Sequence, residues 1–146
     1  GSRRIPHEVL QHMRVLVVDD NSSAREITAS IARGLGLQVD TAANGQAALA
    51  CVAQAEQQGQ AYDLVLIDWK MPEMDGIEAT TALRQSLGAP ACDTPVLGLT
   101  ANVNPQDLER FSAAGVNAVV LKPFDAVKVC AQVAQMLIEK KSSLGS

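Results

Sequence analysis

Short aliphatic runs alternate along this chain with longer stretches whose apolar positions recur at helical spacing, and the cycle repeats five times. After a polar lead, Val15-Val18 reads as a strand. Ala24, Ile27, Ile31 and Leu35 then read as the inward stripe of a helix, with Gly34 and Gly36 at its end. Leu37-Ala42 is a weaker strand carrying polar residues, as a sheet edge would. Asn44 can cap a helix with Ala48, Cys51, Val52 and Ala55 on one face, followed by a polar loop to Gln60. Leu64-Ile67 is the most aliphatic strand and hence the central one. Asp75 and Glu78 have capping-box spacing and open a helix bearing Ala79, Ala82, Leu83 and Leu87. Val96-Leu99 is the fourth strand. Asn104 and Pro105 start a helix with Leu108 and Phe111 inward and Gly115 at its end. Ala118-Leu121 is the fifth strand, and Asp125 to Lys140 carries a last amphipathic stripe through Ala126, Cys130, Val133, Ala134 and Leu137.

Strict β-α alternation with short connections predicts a flavodoxin-like (βα)5 doubly wound parallel sheet of strand order 2-1-3-4-5. In such sheets ligands bind at the carboxyl ends of the strands. The residues found there are Asp19 and Asp20 after the first strand, Asp68 after the third, Thr100 after the fourth and Lys122 after the fifth. The order 2-1-3-4-5 sets the first strand beside the third, so the three aspartates meet. Two carboxylates ~4 Å apart repel by roughly 4 kcal/mol at an effective dielectric near 20. A hard divalent cation removes that repulsion, and Mg²⁺ fits best because it binds through few carboxylates and bridges to phosphate oxygens. The set points to phosphoryl transfer, with Asp68 as nucleophile and with lysine, hydroxyl and metal taking up charge.

Four stretches carry a family resemblance: Val15-Leu16-Val17-Val18-Asp19-Asp20-Asn21, Asp68-Trp69-Lys70-Met71-Pro72-Glu73-Met74-Asp75-Gly76, Leu99-Thr100-Ala101-Asn102 and Leu121-Lys122-Pro123-Phe124. In this order they resemble the receiver domain of two-component signalling, over about residues 13 to 140. The resemblance implies that Asp68 accepts the phosphoryl group, that Asp20 ligates Mg²⁺ directly and Asp19 through water, and that the Lys70 carbonyl is a third ligand. It implies a switch hydroxyl at Thr100 and a phosphoryl-pairing ammonium at Lys122. The position usually held by a rotating aromatic is Val119, which puts the usual threonine-aromatic coupling in doubt. Asn21, the low aromatic content and the polar lead are most similar to receivers within hybrid sensor histidine kinases. On that reading a histidine kinase domain is the phosphodonor and a histidine phosphotransfer domain the acceptor. The alternative is a stand-alone or output-coupled response regulator.

Other readings are weaker. A haloacid-dehalogenase-like phosphatase places a second acid two residues after its nucleophile, where this chain has Lys70. A flavin carrier needs a Ser/Thr-rich phosphate loop after the first strand. Asp19 and Asp20 could instead cap the first helix, and Asp75 is better read as a cap than as a ligand. Trp69 is either a lid beside Asp68 or plain packing, and His7 and His12 read as solvated linker residues. Net charge −4 with no basic, aromatic-interleaved stripe argues against nucleic-acid binding. Cys51, Cys92 and Cys130 lack metal-ligand spacing and read as reduced packing residues. No apolar run reaches the ~18 residues of a membrane span, so a cytoplasmic domain without membrane contact is expected. Residues 1–12 read as a tag scar and interdomain linker, 13–140 as the domain, and 141–146 as a tail.

Overall fold

The computed structural model describes residues 13–34, 36–68, 76–86, 94, 96–100, 105–116 and 118–121. Within them lie β1 (Arg14–Val18), α1 (Ser22–Gly34), β2 (Gln38–Ala42), α2 (Gly45–Gln57), β3 (Leu64–Asp68), α3 (Gly76–Ser86), β4 (Val96–Thr100), α4 (Pro105–Ala114) and β5 (Ala118–Leu121). The strands form one parallel sheet in the order β2-β1-β3-β4-β5, as the alternation predicts. The expected last helix, from Asp125, and the Asp75 cap lie outside the described residues.

Strand periodicity explains how both faces of the sheet are buried. Leu16, Val18, Val65, Ile67 and Val96 point to one face, where they pack with Ala48, Val52 and Ala55 of α2, Ala79 and Leu83 of α3 and Phe111 of α4. Val15, Val17, Leu64, Leu66, Leu97, Leu99 and Val120 point to the other, against Ala29 and Ala32 of α1. The central strands are therefore aliphatic at every position. Edge strand β2 is polar at Gln38, Asp40 and Thr41, all exposed, which blunts further strand pairing.

The helix stripe expected at Ala24, Ile27 and Ile31 is corrected, and Leu35 lies outside the described residues. In α1 the buried residues are Thr28, Ala29 and Ala32, whereas Ile27 is 61% exposed. The strands on this face already fill the core with large side chains, so the helix approaches through its small residues. The inward face is turned by about one residue, roughly 100°, from the one that maximises hydrophobicity. In α2 the expected face holds, with Ala48, Val52 and Ala55 buried and Cys51 partly so. Asn44 caps that helix, its side chain accepting from the Ala47 N–H at 2.7 Å.

The amino-terminal rim of the sheet is stapled by Arg14. Its guanidinium pairs with Asp40 at 3.0 Å, bonds the Gln60 carbonyl and lies 5.0 Å from the centre of the Tyr62 ring. Its backbone N–H donates to the Asp63 carboxylate at 2.9 Å, and its carbonyl accepts from the Asp63 N–H at 2.8 Å. Farther along the sheet, Arg84 of α3 donates to the Thr94 carbonyl at 2.6 Å and to the Gly115 carbonyl at 2.8 Å. Gly115 has φ +97°, which favours glycine, and a Cβ there would meet Arg84 Nε at 2.9 Å and force that side chain to shift.

Tyr62 donates its hydroxyl to Asp40 at 2.7 Å. Burial, that hydrogen bond and the charge of Asp40 push the phenol well above its ordinary 10.0. The folded chain holds this proton to higher pH than the unfolded chain does. The stability contributed is whole below about pH 10 and is lost as pH rises beyond it. Tyr62→Phe is expected to lower the unfolding free energy at neutral pH by about 1 kcal/mol and to flatten the alkaline decline in urea titrations.

Candidate functional site

The topology brings the predicted acids together. β1 lies beside β3 with Val18 opposite Ile67, so the residues leaving these two strand ends are neighbours. One carboxylate oxygen from each of Asp19, Asp20 and Asp68 lies within 4.8 Å of the other two. Asp68 is the last residue of β3, opposite Leu99, and Thr100 ends β4 opposite Leu121. The acceptor and hydroxyl positions thus close their strands rather than following them. Lys70 and Lys122 lie outside the described residues, as do Trp69, His7 and His12. Lys122 directly follows β5 in sequence.

Asp19 is 2% exposed and Asp68 8%, whereas Asp20 faces solvent. Asp19 is held on three sides. Its N–H donates to the Ala42 carbonyl at 3.1 Å, its Oδ1 accepts from the Asn21 N–H at 3.0 Å, and its carbonyl accepts from Arg25 Nη1 at 2.8 Å. The capping alternative for the acidic pair is settled by Asn21, whose Oδ1 accepts from the Ala24 N–H at 3.0 Å. Asn21 serves the helix end, and neither aspartate is needed there. Sequence reasoning missed this, because Asp19-Asp20-Asn21 offers three consecutive residues of cap type.

The donor set suits a small hard divalent cation: oxygen ligands only, two of them buried and one open to solvent, converging from two strands. Cys51 is not a further ligand candidate among the described residues. It sits on α2, outside the cluster of three carboxylates, and burial, assisted by the Asp40 charge, pushes its thiol up. Val119, at the position in question for switching, is partly buried and packs on the sheet face covered by α2, α3 and α4. No helix among the described residues is long and apolar enough to cross a membrane.

The family model of the response regulator receiver domain matches residues 15–134. The chain belongs to the response regulator receiver domain family. It is 33% identical over 129 residues to hybrid signal transduction histidine kinase B of Dictyostelium discoideum, covering 82% of this chain and 6% of that protein. It is 35% identical to the autoinducer 2 sensor kinase/phosphatase LuxQ of Vibrio harveyi, covering 84% of this chain and 14% of that protein. This receiver domain therefore spans a small part of such relatives. Among solved structures it is similar to the receiver domain of the histidine kinase CKI1 from Arabidopsis thaliana, complexed with Mg²⁺ and BeF₃⁻. That match has TM-score 0.73 and 29% identity, covering 89% of this chain and 94% of that one.

Proximity of the three carboxylates predicts a cost to stability when no cation is bound. Asp20 is exposed, so its repulsion from one neighbour is close to the aqueous limit of about 1 kcal/mol. Asp20→Asn is expected to raise the melting temperature in EDTA by about 2–4 °C. An unchanged or lower value in a calorimetric scan would contradict the electrostatic account.

Proposed function

We propose that this receiver domain takes a phosphoryl group from a phosphohistidine onto Asp68, with Mg²⁺ held at Asp19, Asp20 and Asp68, and relays it within a hybrid sensor histidine kinase phosphorelay. The observation that carries the reading is the convergence of the three carboxylates at the β1/β3 crevice. The Mg²⁺ and BeF₃⁻ bound by the CKI1 receiver support it, and the hybrid kinases among the relatives support the context.

An Asp68 carboxylate oxygen attacks phosphorus, the P–N bond to the donor imidazole breaks, and its electron pair stays on the ring nitrogen. Mg²⁺ held there would supply positive charge for the phosphoryl oxygens. Asp20 would touch the ion and Asp19 would act through its water, with the Lys70 carbonyl as a further ligand. The Thr100 hydroxyl and the Lys122 ammonium would bond the phosphoryl oxygens. Asp20 is the solvent-facing member of the cluster, so the donor histidine would approach from that side. A histidine kinase domain is the donor, and a histidine phosphotransfer domain the acceptor.

Acetyl phosphate with Mg²⁺ is expected to label the domain at one site, mapped to Asp68 by borohydride trapping and mass spectrometry, and Asp68→Asn to abolish the label. A label persisting in that variant would remove the assignment. Asp20→Asn is expected to weaken Mg²⁺ binding by titration more than Asp19→Asn, and equal losses would show the ligand roles to be misassigned.

A further inference from the structure

Arg25 is half-buried on α1, and its guanidinium turns back to the acidic turn instead of outward. Nη1 donates to the Asp19 main-chain carbonyl at 2.8 Å. That carbonyl belongs to the peptide plane joining Asp19 to Asp20, and the plane is rigid. Fixing the carbonyl therefore fixes the direction in which the Asp20 Cα leaves, and with it the carboxylate proposed to touch the ion. The Asp19 N–H and carboxylate are already tied to Ala42 and Asn21. Arg25 supplies the hold on the third side of this residue.

We infer that Arg25 is a positioning residue for the divalent cation: it holds the Asp19-Asp20 peptide so that both carboxylates face Asp68. This rests on the Mg²⁺ reading of the site. Two effects of Arg25 compete. Its positive charge repels a cation, so losing it would tighten binding; its hydrogen bond preorganises the ligands, so losing it would loosen binding. Screening weakens a solvent-accessible charge, whereas misplacing a ligand by a fraction of an ångström is costly for an ion that demands near-ideal octahedral geometry. Preorganisation wins on this argument.

The test titrates Mg²⁺ into the folded domain, following fluorescence of Trp69, the sole tryptophan, which is adjacent to Asp68 in sequence. Arg25→Ala is expected to weaken Mg²⁺ binding about tenfold, the lower end of what removing a group that orients a metal ligand costs. Arg25→Lys, which retains a charged donor, is expected to recover most of the loss. The EDTA melting temperature of Arg25→Ala is expected to fall by a few degrees as well, since the bond and the charge are lost from the ion-free fold, so the change in Mg²⁺ affinity carries the test. Equal or tighter binding in Arg25→Ala would overturn the inference, as would a drop in EDTA melting temperature with unaltered Mg²⁺ affinity, the mark of a merely structural residue. An unaltered domain that binds no Mg²⁺ in calorimetry would instead overturn the underlying reading of the site, and the role of Arg25 with it.

Discussion

Mutual repulsion among Asp19, Asp20 and Asp68 is the constraint around which the rest of the molecule is arranged. One carboxylate oxygen from each lies within 4.8 Å of the other two, a placement that isolated side chains would avoid. It persists because each aspartate is anchored to a strand end, and the strands are fixed by aliphatic packing on both faces. A fully buried valine or leucine contributes about 1.5–3 kcal/mol, and the central strands carry many, so the core outweighs the strain at the crevice. The three carboxylates are thus kept together, against their mutual repulsion, by the packing behind them.

Much of this was legible in the sequence because it depends on period and order. Aliphatic runs ending at Asp, Thr and Lys identified the strands and the edge to which chemistry belongs, and β-α alternation fixed the neighbours. The position of Asn44 as a cap was readable, since one cap-type residue preceded a helical stripe. At Asp19-Asp20-Asn21 three such residues stood in a row, and only geometry assigned the cap to Asn21.

The face of α1 was misread for a different reason. Hydrophobicity favours Ile27 and Ile31, but the helix sits on strands already lined by Val15, Val17, Leu66 and Leu99, and close approach selects Thr28, Ala29 and Ala32. Which side chains a helix presents depends on how much room the opposing layer leaves, and one segment's sequence does not contain that. Arg25 was overlooked similarly: its bond is to a backbone carbonyl six residues away, a partner without residue identity.

The direction of the parallel sheet also separates two kinds of change open to this chain. Arg14, Asp40, Gln60 and Tyr62 knit the amino-terminal rim, whereas the carboxylates occupy the opposite rim. Substitutions around the reactive crevice can alter chemistry or timing while the knitted rim keeps the strands in register. The residues that hold the strands in register and those that converge as carboxylates are thus separate sets, and a change in one set leaves the contacts of the other in place.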